Sequence, residues 1–152
     1  MRSKFRALFY NGVVLVTVIL GASALWVAFS AIIGIAYAFF VVFMLYYVLR
    51  KHICTNCVYY GKLCYTGWGW LASKLFLKGS GNFGLGLKLA GFVWGVFFFL
   101  PFSTFITLGA WKYMIFWIAL VLFFMGDHFG HCAGCPMRNR CIKKKKYQNE
   151  AK

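Results

Sequence analysis

Residues 7–49, ALFYNGVVLVTVILGASALWVAFSAIIGIAYAFFVVFMLYYVL, contain 43 positions and no charged side chain. About 20 apolar residues suffice to cross a bilayer as a helix. A single straight helix of this length would reach roughly 65 Å, about twice the hydrocarbon thickness. The stretch therefore reads as two spans joined by a reversal. Small residues cluster at Gly21, Ala22, Ser23 and Ala24, which places the reversal between residues 21 and 30. The basic start at Arg2, Lys4 and Arg6, with Ala22-Ser23-Ala24 downstream, also fits a signal peptide. The apolar run continues too far for that, and a retained helix is expected.

A second apolar block runs over residues 89–126, interrupted only by Lys112. It divides near Thr107 and Gly109. The expected fold class is thus an all-α membrane protein with four transmembrane helices, at about 7–27, 30–50, 84–107 and 111–127. They form two hairpins in a single domain, residues 1–142, with Cys-rich loops at 51–66 and 128–142.

The composition agrees. Of 152 residues 62% are hydrophobic and 12% charged, against about 25% charged in a typical soluble domain. A chain this small leaves too much surface exposed to hide that apolar content from water, which excludes a soluble enzyme.

Charge sets the expected orientation. There are 17 Lys and Arg against two acids, Asp127 and Glu150. With four helices, all the basic residues except Lys112 fall on one face. They precede the first helix, lie between the second and third (Arg50, Lys51, Lys62, Lys74, Lys78, Lys88), and come after the fourth. The positive-inside rule makes that face, and both termini, cytoplasmic in the plasma or inner membrane.

Six cysteines make two triplets, Cys54-x2-Cys57-x6-Cys64 and Cys132-x2-Cys135-x5-Cys141. Each comes directly after a predicted hairpin, which suggests a parallel internal repeat. Cytosolic thiols stay reduced, so two CxxC pairs point to a soft metal held by thiolates. Zinc is expected, with an iron–sulfur cluster as the alternative. In one arrangement Cys54, Cys57, Cys132 and Cys135 share an ion and join the two halves, leaving Cys64 and Cys141 spare. In the other, each triplet recruits a histidine. His131 adjoins Cys132 and is the best nitrogen candidate, ahead of His52 and His128. Asp127 reads first as the partner of a nearby cation and second as a ligand.

Residues 67–79 predict a short cytoplasmic interfacial helix with Trp68, Leu71, Leu75 and Phe76 on one side and Gly79 as its C-cap. Gly91-x3-Gly95 predicts a close helix contact, with Ser30-x3-Gly34 as its partner. Pro101 is expected to kink the third helix and free the Phe97 carbonyl. Phe97-Phe98-Phe99 and Phe123-Phe124 read as lipid-facing or packing bulk.

The lysine-rich tail 143–152 is expected to be disordered and held at anionic lipid headgroups, with no nucleic-acid role. No nucleotide loop or acid–base pair occurs, and the spans carry few polar residues. The expected role is structural or accessory within a membrane assembly, without catalysis. A redox protein is the alternative, and a metal- or thiol-linked transporter or sensor a weaker one.

Overall fold

The computed structural model describes residues 2–133 and residue 135, with the side chains of 2, 3, 128, 129, 132 and 133 left out. Every regular element among the described residues is helical. In chain order these are α1 (Arg2–Ala28), α2 (Ala31–Phe43), a π-helical turn (Met44–Val48), α3 (Leu49–His52), α4 (Trp68–Leu75), α5 (Phe83–Thr107) and α6 (Trp111–Ala133). A single 3-10 turn, Cys54–Asn56, comes after α3.

Three segments among these residues are long and apolar enough to cross a membrane: Lys4–Ala28, Ala31–Asn56 and Phe83–Thr107, with mean hydropathies of 2.0, 2.4 and 1.9. Their surfaces suit that role. Ile32 is 79% exposed, Phe39 71% and Phe99 73%, which water would penalise and a lipid chain accepts. The helix α6 has 23 residues and stands outside these three segments, its last turns carrying side chains that are not described.

The reversal between α1 and α2 comes later than the small-residue cluster suggests. Residues 21–28 stay helical, and the chain turns at residues 29–30. Ser30 caps α2, its hydroxyl accepting from the Ile33 N–H at 3.4 Å. The small residues serve packing instead. A Cβ added at Gly21 would meet the Pro101 ring and the Tyr37 hydroxyl, each at 2.9 Å. Gly34 lies against the Ala22 carbonyl and Trp26 of α1, so the Ser30-x3-Gly34 stripe packs on α1 and not on α5. Gly91 and Gly95 have open space where a side chain would be, so the expected contact does not form within the described chain.

The core repeats at helical spacing. Tyr10, Val14, Val18 and Leu25 of α1 pack against Tyr37, Val41, Leu45 and Leu49, and against Val93, Phe97 and Phe124 from α5 and α6. Phe97 and Phe124 are therefore core residues, whereas Phe99 and Phe123 are exposed.

Pro101 sits inside α5 and cannot donate to the Phe97 carbonyl. Tyr37 of α2 replaces that donor, its buried hydroxyl donating to Phe97 O at 3.0 Å. Trp117 of α6 donates from Nε1 to the neighbouring Phe98 O at 3.2 Å. Tyr37 thus satisfies the carbonyl that proline opens, as an apolar solvent demands.

Tyr37→Phe should lower stability by about 1 kcal/mol, the usual scale for one interhelical hydrogen bond. In a Pro101→Ala background the residue-101 N–H returns to Phe97 O, so the same change should have a smaller effect. Unfolding of the four variants in detergent checks this, and strictly additive losses would contradict it.

Candidate functional site

The start of α1, the end of α3, the start of α5 and the end of α6 meet at one end of the bundle. Arg6 pairs with Asp127 at 3.4 Å. His52 Nδ1 accepts from the Asn82 N–H at 3.0 Å, while the Asn82 side chain caps α5 by accepting from the Leu85 N–H at 3.1 Å. Tyr65 stacks on His131 with ring centroids 4.2 Å apart.

Asn11, a lone amide in the middle of an apolar run, organises this end. Its Oδ1 accepts from Tyr46 Oη and Trp68 Nε1, both at 2.8 Å. Its Nδ2 donates to Thr66 O at 2.9 Å and Ala7 O at 2.6 Å. All its hydrogen-bonding capacity is used. It ties α1 to the π turn, to the loop before α4 and to α4 itself.

The π turn carries an extra residue, which rotates the register of α3 by about 100° around the helix axis. Leu49 and Arg50 are consequently both buried, each at 3% exposure. The Arg50 guanidinium carbon lies 3.2 Å from the centroid of the Trp68 ring. Its Nη1 donates to Cys54 Sγ at 3.4 Å. Its Nε and Nη2 are buried and have no hydrogen-bond partner among the described residues.

One of the described cysteines, Cys54, touches this cation. Cys54, Cys57, Cys64 and Cys135 are free thiols. The 3-10 turn bearing Cys54 is fastened to the chain before α5: Asn56 Nδ2 donates to Gly81 O at 2.8 Å and the Gly79 N–H to Thr55 O at 3.0 Å. Burial pushes the Cys57 thiol above its ordinary pKa. The Tyr59 N–H opposes this, and the nearby sulfurs of Cys54, Cys135 and Cys64 add to the rise. A cysteine from beyond α6 thus stands within electrostatic reach of one from beyond α3.

Cys64 goes the other way. Burial alone would raise its pKa, but hydrogen bonds from the Thr66 hydroxyl and from the Gly69, Thr66 and Trp68 N–H groups outweigh burial and lower it. The Thr66 Oγ1 to Cys64 Sγ distance is 3.2 Å, and the Gly69 N–H donates to the same sulfur at 3.5 Å. Sequence reasoning leaves Cys64 spare in the shared-site arrangement. The structure makes it the most readily ionised of the thiols whose pKa is displaced.

The remaining candidates divide. His131 is held by Tyr65 and by the Asp127 carbonyl, 2.7 Å from its Nδ1. Asp127 pairs with Arg6, as its reading as a cation's partner has it, and lies 3.5 Å from His131. His52 has committed Nδ1 to backbone. Cys132 lies within α6, which runs to Ala133 and not to 127, so this cysteine starts on a helix rather than in a loop. The side chains of Cys132 and His128, the whole of Cys141 and the tail 143–152 lie outside the described residues. Among the described residues, no three His, Cys, Asp or Glu side chains stand close enough to hold one metal ion.

The short helix α4 forms over Trp68–Leu75 and buries Gly69 and Ala72. Its C-cap is Phe76, and Gly79 instead takes a left-handed turn three residues later, with φ 76°.

Comparison with protein families, curated proteins and solved structures finds no match to this chain.

The hydrogen bonds to Cys64 have a measurable consequence. Alkylation tracks the thiolate fraction, so the Cys64 rate should rise at lower pH than that of Cys57. Thr66→Val removes one stabilising hydroxyl and should move the Cys64 midpoint to higher pH. Mass-spectrometric alkylation profiles across pH check both, and coincident profiles would contradict the assignment.

Proposed function

We propose that the chain is a four-span membrane protein whose basic end carries a zinc ion bound by thiolates from both halves. The observation that carries this reading is that Cys57, after α3, lies within electrostatic reach of Cys54 and of Cys135, which comes from beyond α6. Thiols brought from distant parts of a chain beside buried positive charge suit a soft cation. A bound ion would have to draw these thiols together, because no three of the described candidate ligands stand close enough to hold it. Cys132, one helical turn from His128 and three residues before Cys135, supplies the fourth thiolate of the shared set.

Its role is structural. The ion fastens the segment after α3 to the segment after α6, and so locks the two helix pairs in register. Such a unit serves as an accessory subunit of a membrane assembly and performs no chemistry of its own. The scarcity of acid and the absence of any carboxylate pair support that restriction.

The fourth span is α6, whose 23 residues reach about 35 Å at the helical rise. With α1 and α2, and α5 and α6, as two antiparallel pairs, the thiol end carries nearly all the Lys and Arg and faces the cytoplasm. There α4 lies along the membrane surface. Its Lys74, with Lys62 and Lys78, contacts anionic headgroups.

The test is metal content of Cys57→Ser, Cys135→Ser and the double variant, purified without chelator. A shared site requires each single variant to lose the same zinc, with the double hardly worse, since residues acting as one unit are non-additive. Two independent losses that sum would replace the shared site with two sites, each closed by a histidine. Iron with sulfide and visible absorption in place of zinc would make the protein an electron carrier.

A further inference from the structure

The most unusual group in the described chain is Arg50. At 3% exposure its guanidinium is sealed from solvent, yet Nε and Nη2 have no hydrogen-bond partner among the described residues. A buried cation without an anion is strongly disfavoured, and native proteins avoid it unless a partner completes the pair. The stacked Trp68 ring holds the guanidinium in place, but a ring quadrupole does not neutralise a charge. Among the described residues, its hydrogen bond to a group able to carry negative charge goes to Cys54 Sγ.

The chain has little else to offer. It contains two acids. Asp127 is taken up by Arg6 and His131, and Glu150 lies outside the described residues. The Tyr46 hydroxyl is committed to Asn11. The Cys54 thiol is thus a group able to carry negative charge that the described residues set against Arg50.

We infer that Arg50 is the built-in counter-cation of the metal–thiolate centre, held over Trp68 so that the loaded centre completes its hydrogen bonding. This rests on the proposed zinc site and adds a charge requirement to it. Zinc with four thiolates is a dianion, and with three thiolates and an imidazole a monoanion. A buried guanidinium compensates either. Arginine suits the task better than lysine, because its charge is delocalised, it stacks on an aromatic face and its several N–H groups can meet more than one sulfur. The surroundings fix the geometry. The π turn aims the side chain inward, and Asn11 anchors the indole beneath it.

Arg50 is thus a positioning residue, and its role makes the effects of its loss opposite in sign. Without metal the unpaired charge burdens the fold, whereas with metal it stabilises the centre. The experiment uses the full chain in detergent micelles, comparing wild type, Arg50→Met and Arg50→Gln. Zinc affinity is read by chelator competition at fixed pH, and thermal unfolding is measured before and after zinc is stripped. The expected result is zinc binding looser by about 10- to 100-fold, the scale of lost outer-sphere support. The stripped Arg50→Met protein should unfold no lower than stripped wild type. Should Arg50→Met fail to fold, Arg50→Gln must show the same loss of affinity.

Unchanged affinity in a folded variant overturns the inference and leaves the zinc reading intact. Lower stability of the stripped variant together with looser zinc marks Arg50 as a packing residue and also overturns it. A wild-type chain that takes up no zinc defeats the metal reading itself, and the counter-cation role with it.

Discussion

A guanidinium sealed between an indole face and a thiol is the constraint on which this end of the molecule turns. Burying Arg50 requires a rigid platform, and the platform is Trp68, held through its Nε1 by Asn11. Asn11 in turn needs Tyr46 and the Thr66 carbonyl. The loop that supplies Thr66 also supplies Cys64 and the hydroxyl that helps ionise it. One buried charge therefore organises α1, the π turn, α4 and two of the cysteines. The extra residue of the π turn, a local irregularity at the end of α2, is what directs both Leu49 and Arg50 inward.

The rest of the bundle obeys the same rule in a drier setting. Polar groups within a hydrocarbon layer must find partners inside the protein. The carbonyl opened by Pro101 takes the Tyr37 hydroxyl, and the next carbonyl takes Trp117. Thr17, fully buried, returns its hydroxyl to the Val13 carbonyl of its own helix. Gly21 leaves the space that lets the proline ring and the tyrosine approach α1. These are small devices, but together they align α1, α2, α5 and α6 without a polar core.

Much of this was legible in the sequence. The uncharged runs announce membrane-length helices, because hydrophobic length is a direct physical requirement of the bilayer. The proline announces an open carbonyl, though not the tyrosine that meets it. Small residues are ambiguous, since Gly21 to Ala24 can permit either a turn or a close approach, and here packing prevailed. The same ambiguity left Gly91 and Gly95 without their expected partner. Arg50 was harder. Beside Lys51 and His52 it reads first as a basic residue that sets topology and second as one of several that offset thiolate charge, and the register shift that buries it has no signature in composition. One signal was present: Cys54 lies four residues on, the spacing that puts two side chains on one helical face. Cys64 was hidden for a related reason, because its ionisation depends on Thr66 and on backbone N–H groups that only the folded loop aligns.

The central claim is a metal ion held by sulfur from both cysteine segments. X-ray absorption at the zinc edge of the purified full chain tests it most directly. The account predicts a first shell of four sulfurs at about 2.3 Å, reduced to fewer sulfurs when either Cys57 or Cys135 is replaced by serine. A first shell of nitrogen and oxygen alone, or a sulfur shell indifferent to both replacements, would contradict it.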